Sequence, residues 1–263
     1  MGLAHGTIGW TDVASPDTAV AEAFYKELFG WEADTNPSES MPYTMFTNGG
    51  KLVAGMGPLS TEQLEAGQPP AWSTYVIVDD VDATFAKAKE LGATVLMEPM
   101  QIMDAGRMFF VVDPVGAVIG FWQSGTHDGA ELFNVPNTMT WNDLGCRDVD
   151  AAVAFYTQLL GWSTSTMEMG DDSTYTMFSV GERPTGGTWD ISGVMPDEVP
   201  PHWLTWFNVT DADAVANRAA ELGGRVVQPP RDSPMGKMAI ITDPAGATFG
   251  IIAATQSDGQ PER

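Results

Sequence analysis

Along this chain, short runs that alternate apolar and polar residues are interrupted by stretches with helical periodicity, always in the same order. "GTIGWTDV" reads as a strand and "SPDTAVAEAFYKELFG" as a helix. In that helix Val20, Phe24 and Leu28 fall at i, i+4 and i+8 and predict one apolar stripe. Ser15 is the expected N-cap, with Pro16 at the first helical position, Asp17 in the first turn and Gly30 as a left-handed stop. Three short strands follow, "WEADT", "YTMFTN" and "KLVAGM", and then the loop "GPLSTEQLEAGQPP". The order restarts with the strand "WSTYVIV", the helix "DVDATFAKAKELG" and the strands "TVLMEP", "GRMFFVVD" and "AVIGFWQ".

The whole pattern then recurs. Shifted by 131 residues, Trp10 meets Trp141, Asp12 meets Asp143, Gly30-Trp31 meets Gly161-Trp162 and Trp72 meets Trp203. With a shift one residue longer or shorter, "YTMF" at Tyr43 meets "YTMF" at Tyr175, and "DPVGAVIG" meets "DPAGATFG". This period has the size of a domain, not of a solenoid unit. The expected organisation is residues 1–125 and 139–263 as two like domains, joined by a linker at 126–138 within "SGTHDGAELFNVPNT". Each domain holds two βαβββ units. "FYKELFGW" and "FYTQLLGW" close the leading helix of each half.

A leading strand, a helix ending in Phe-Tyr…Gly-Trp and a closing Asp-Pro-x-Gly-Ala hairpin resemble the glyoxalase, bleomycin-resistance and extradiol-dioxygenase (vicinal oxygen chelate) superfamily. The tandem arrangement is similar to two-domain glyoxalase-like proteins of actinobacteria that are loosely labelled hydroxylases. The resemblance runs from about Gly6 to Ala254 and implies an α+β fold, with each pair of βαβββ units curving into an incomplete barrel around a cavity.

It also implies where a divalent metal would sit. Such enzymes hold it with His, Glu or Gln at three strand positions: fourteen residues before the Phe of the Phe-Tyr pair, in the first strand of the next unit, and seven after the hairpin Asp. Carried onto this chain, these positions are Trp10, Ser73 and Gly120 in the first half and Trp141, Leu204 and Gly250 in the second. A hard or borderline cation needs oxygen or imidazole donors, and this set supplies only one neutral hydroxyl. No metal site and no cofactor are therefore expected. His5 and His127 read as surface residues, and His202 as a residue at the rim of a pocket.

Alternation puts Ser73, Tyr75 and Ile77 on the concave side of one strand, and His202, Leu204, Trp206 and Asn208 on that of its repeat. Trp122 joins Gly120 there. Asp12 and Asp143 share the face of the two leading tryptophans, either as part of a site or as acids bonding nearby backbone. Trp10 and Trp141 are expected to pack over Gly120 and Gly250, lining a pocket or plugging the barrel. Methionines such as Met41, Met45, Met56, Met97 and Met103 would fill gaps in the core or line an adaptable site.

Composition narrows the partners. With 35 Asp+Glu against 12 Lys+Arg and a formal charge of −23, nucleic acid and anionic membrane are poor partners. Cys146 is the single cysteine, which suits a reducing compartment, and "MGLAHGTIGW" carries no basic and apolar leader, so a cytoplasmic protein is expected. The functional expectation is metal-independent binding of a small apolar or aromatic molecule. The alternative is a lyase, isomerase or dioxygenase with a rearranged metal site, or a metal-free catalyst using Asp12, Asp143 or His202. Monomer and homodimer are both compatible with the duplication.

Overall fold

The computed structural model describes residues 2–36, 42–170 and 173–255; Met41 lies outside them. The first half runs β1 (Ile8–Ser15), α1 (Thr18–Phe29), β2 (Glu32–Asn36), β3 (Tyr43–Asn48), β4 (Lys51–Pro58), α2 (Thr61–Glu65), β5 (Ala71–Ile77), α3 (Val81–Glu90), β6 (Thr94–Ile102), β7 (Gly106–Val112) and β8 (Val118–Ser124). The second half comprises β9 (Met139–Cys146), α4 (Val149–Leu160), β10 (Ser163–Gly170), β11 (Ser173–Val180), β12 (Arg183–Asp190), β13 (His202–Asn208), α5 (Ala212–Glu221), β14 (Arg225–Ser233), β15 (Gly236–Thr242) and β16 (Thr248–Ala254). The architecture is the expected α+β one.

Each half forms one open eight-stranded sheet, ordered β2-β3-β4-β1-β5-β8-β7-β6 and β10-β11-β12-β9-β13-β16-β15-β14. The two units of a half join antiparallel through β1 and β5, or β9 and β13, while β1–β4 and β5–β8 pair in parallel.

Three local expectations are corrected. The first helix is capped by Asp17, not Ser15: the Asp17 carboxylate accepts from Val20 N at 3.0 Å, and the helix starts at Thr18. Aspartate also caps α3, α4 and α5, where an acid suits the unpaired N–H groups of the first turn. The buried stripe of α1 is Ala21, Phe24, Tyr25, Leu28 and Phe29, and Val20 is exposed. Gly30 does stop the helix with φ 71°. The loop after β4 contains a short helix, α2, closed by a capping box between Ser60 and Gln63.

One core runs through both halves. Phe29 packs on Phe207 at 5.2 Å between ring centroids, and Phe24 on Phe249 at 6.4 Å. At its centre Thr74 Oγ1 and Thr205 Oγ1 donate to Asn142 Oδ1 at 2.9 and 3.0 Å, and Thr11 and Thr205 hydroxyls meet at 3.1 Å. The repeated helix-end motif is a clasp between halves as well as a stop. Tyr25 Oη donates to Asp243 Oδ2 and Tyr156 Oη to Asp113 Oδ2, both at 2.7 Å. Trp31 Nε1 donates to Asn137 O and Trp162 Nε1 to Gly6 O, both at 2.8 Å, so each Gly-Trp holds the entry to the other half's leading strand. No helix among the described residues is long and apolar enough to cross a membrane.

Candidate functional site

The face of each sheet turned away from the shared core carries the residues singled out in the sequence. In the first half, Trp10, Tyr75, Ile77 and Trp122 form a second apolar cluster, backed by Phe110 and Phe133. The cross-strand row reads Trp10–Tyr75–Gly120, and in the second half Trp141–Trp206–Gly250. The middle members are thus Tyr75 and Trp206. Ser73 and Leu204 stand one step away, opposite Asp12 and Asp143.

The glycines are covered, though not by the residues expected. A Cβ on Gly120 would meet Tyr75 and Phe110, and one on Gly250 would collide with the Trp206 indole. Aromatic rings of the adjacent strands therefore cover the bare backbone, where Trp10 and Trp141 were expected to do so. A three-point divalent site does not fit these rows: two aromatic rings and a glycine offer no carboxylate or imidazole. Among the described residues no cluster of three or more His, Cys, Asp and Glu could hold a metal elsewhere.

The chemistry of each face centres on its aspartate. Asp12 and Asp143 bind side chains and not backbone. Tyr43 Oη donates to Asp12 Oδ2 at 3.0 Å, Tyr75 Oη donates to the same oxygen at 2.8 Å, and Trp10 Nε1 donates to Tyr43 Oη at 3.1 Å. In the second half Tyr175 Oη and Trp141 Nε1 both donate to Asp143 Oδ1, the indole at 2.9 Å, and Trp141 also reaches Tyr175 Oη at 2.6 Å. Tyr43 and Tyr175 reach the acids across β4 and β12 because Gly55 and Gly187 leave room for the phenols. These two tyrosines open the repeated "YTMF", and that repeat was their only signal in the sequence.

Burial raises the pKa of both carboxyls against the opposing pull of these hydrogen bonds, and Asp143 is pushed up to about 6. The Trp206 N–H also lies near enough to Asp143 to favour its charged form, yet this buried nitrogen makes no hydrogen bond of acceptable geometry. The geometry governs: among the described residues Trp206 Nε1 is a donor without an acceptor. Burial and the neighbouring Asp12 charge push the Tyr43 and Tyr75 hydroxyls up, so both keep their protons and donate to the carboxylate.

The two faces differ in access. The first is sealed by the linker. His127, expected at the surface, is only 9% exposed and sits edge-on against Trp10 at 4.4 Å, with Trp122 at 5.6 Å. Trp122 Nε1 donates to His127 O at 2.9 Å, and Ala130 N to Gly9 O at 2.8 Å, which fixes the segment in place. Burial pushes the His127 imidazole pKa down, towards its neutral form. Trp10 is left 4% exposed. In the second half, by contrast, Trp141 and Asp143 are half-buried and Met167 is 41% exposed; Tyr175 and Met177 are half-buried, as Tyr43 and Met45 are in the first half. His202, at the end of β13, is half-buried with Nδ1 at 2.9 Å from Pro200 O. Two clefts elsewhere, about 190 Å³ beside Gly2 and Asp79 and about 330 Å³ on the outer side of α1, reach neither acid.

Comparison with known proteins agrees with this architecture. The family described as Glyoxalase/Bleomycin resistance protein/Dioxygenase superfamily matches residues 7–121 and again 137–251. CFP32 of Mycobacterium tuberculosis, named as a glyoxylase, is 41% identical over 251 residues, covering 94% of this chain and 95% of that one. The anthracycline biosynthesis protein DnrV of Streptomyces peucetius is 35% identical over 262 residues, covering 95% and 94%. Among solved structures, a Mn(II)-bound glyoxalase from Novosphingobium aromaticivorans superposes with a TM-score of 0.65 at 16% identity, over 96% of this chain and 84% of that one. The 2,3-dioxygenase LapB from Pseudomonas sp. KL28 gives 0.65 at 13% identity, over 98% and 97%. At such identities these two structures share the fold alone. With a glyoxalase match in each half and full-length relatives at 41% identity, the chain belongs to the glyoxalase/bleomycin resistance protein/dioxygenase superfamily.

Proposed function

We propose that this protein binds a small apolar or aromatic molecule on the open face of its second half, without the divalent metal of its enzymatic relatives. The observation that carries this reading is the unequal access to two equivalent faces. Trp10 and Asp12 are shut beneath the linker, whereas Trp141 and Asp143 retain surface. A flat ligand gains offset stacking on Trp141, with Trp206 buried behind it, while Met167 and Met177 adapt to its outline. The name of DnrV adds support, since anthracyclines are flat polycyclic aromatics. The sealed face of the first half serves to hold the linker.

The test combines metal analysis of the purified protein with calorimetric titration of naphthalene derivatives. Binding of one equivalent without bound metal, weakened in Trp141→Ala and not in Trp10→Phe, is the expected result. Stoichiometric divalent metal, or binding indifferent to Trp141, would refute it.

A second reading is metal-free acid–base catalysis at Asp143. Its support is a carboxyl pushed up to about 6, close to the range where one group both accepts and returns a proton at neutral pH.

A further inference from the structure

The halves hold their aspartates differently, and one residue makes the difference. In the first half Asp12 Oδ2 accepts from two phenols, Tyr43 and Tyr75. In the second, Tyr175 supplies the first phenol, but the position of Tyr75 is occupied by Trp206. Tyr175 and Trp141 both donate to Oδ1 of Asp143, and Oδ2 accepts from no described residue. Nor does Oδ2 belong to the buried polar atoms that lack a partner, so it keeps contact with solvent on the open face. A carboxylate oxygen in that condition is an unused acceptor.

The first half displays a group that fits such an oxygen: an aromatic hydroxyl at 2.8 Å, set among Trp10, Phe110 and Trp122. We infer that the open face of the second half takes an aromatic molecule bearing a free hydroxyl, which donates to Asp143 Oδ2 as Tyr75 donates to Asp12. The inference rests on the reading of this face as a ligand site and specifies its chemistry.

Three observations select a hydroxyl. A ligand carboxylate or phosphate would meet Asp143 with no basic partner, since none of the ion pairs among the described residues involves that acid. A carbonyl has no proton to offer a carboxylate. A hydroxyl oxygen, in addition to donating, accepts, and the unpartnered Trp206 N–H lies beside the same carboxyl group.

The test is calorimetric titration of the full chain with 1-naphthol, its methyl ether 1-methoxynaphthalene, and 1-naphthylmethylamine. The expected result is that 1-naphthol binds about tenfold or more tightly than the ether, the worth of one hydrogen bond to a charged acceptor. That margin should collapse in Asp143→Asn. It should also collapse in Trp206→Tyr, which returns a second phenol to the acid, and circular dichroism checks that both variants are folded. Equal binding of naphthol and ether by the unaltered protein overturns the inference and leaves the aromatic site standing. Preference for the amine over naphthol, or a margin that survives both substitutions, also overturns it. If none of the three binds, the binding reading itself falls.

Discussion

Tyr25 and Asp243, 218 residues apart in sequence, meet at 2.7 Å, and Tyr156 with Asp113 repeats the bond with the halves exchanged. Each aspartate also accepts backbone N–H groups of its own hairpin, at 2.7 and 2.9 Å for Asp243 and 2.8 and 3.1 Å for Asp113. Each tyrosine in turn accepts an indole N–H, from Trp72 at 2.9 Å and Trp203 at 3.0 Å. A helix of one half is thereby bolted to the closing turn of the other.

Tyr25→Phe should cost about 1–3 kcal/mol, because it strips a buried carboxylate of one donor and leaves the Trp72 N–H unmet. Tyr156→Phe should do the same. Denaturant unfolding should remain a single transition in both variants, since the core is continuous across the halves. A loss confined to one of two separate transitions would contradict the shared core.

Gly250→Ala should destabilise by about 1–3 kcal/mol through overpacking, since the added methyl collides with the Trp206 indole. Gly30→Ala has open space around it, and its cost arises only from the left-handed φ of 71°. Near-ultraviolet circular dichroism should change in the first variant and not in the second.

Asp143 sets a pH dependence with a definite sign. Its carboxyl is raised from 3.8 to about 6 on folding, so the native state holds that proton more tightly than the unfolded chain. The contribution is fully present below pH 4 and is lost as pH rises through 6. At pH 7 the half-buried charge then costs about 3 kcal/mol at most, by the energy equivalent of a pKa unit. Asp143→Asn should therefore be more stable than the unaltered protein at pH 7, with the advantage fading near pH 4. A constant difference across that range, read from melting temperatures, would count against the shifted carboxyl.

The unequal access of the two faces should be visible in solution. Acrylamide should quench Trp141 more readily than Trp10, so Trp141→Phe removes more of the quenchable emission than Trp10→Phe. Equal losses would mean that the linker does not seal the first face.

Most of the fold was written in the periodicity, because alternation and capping residues are local properties and the duplication gave each element a second witness. Register is not local. Which residue of β5 stands beside Trp10 is set by the register of the β1–β5 pairing, which runs Trp10–Tyr75 to Ala14–Ala71, and neither strand's sequence records it. The reach of Tyr43 to Asp12 was hidden for a related reason, since it depends on a glycine in the strand between them. His127 was misplaced because its burial comes from tertiary contact with Trp10, while its own neighbours "GTHDG" carry every mark of an exposed loop. The part of the site that could be read in advance was the identity of its aromatic residues, with Tyr75 standing against Trp206 as a mark of two unlike sites; the unequal access, which comes from the linker, could not.

The path of the chain from one half to the next runs through the mouth of the first, where His127 lies on Trp10. A protease cut at Thr126 would thus not release two independent modules. The shared core and the two Tyr–Asp clasps would still join the halves, and His127 would still be held on Trp10 by the bonds from Trp122 and Ala130.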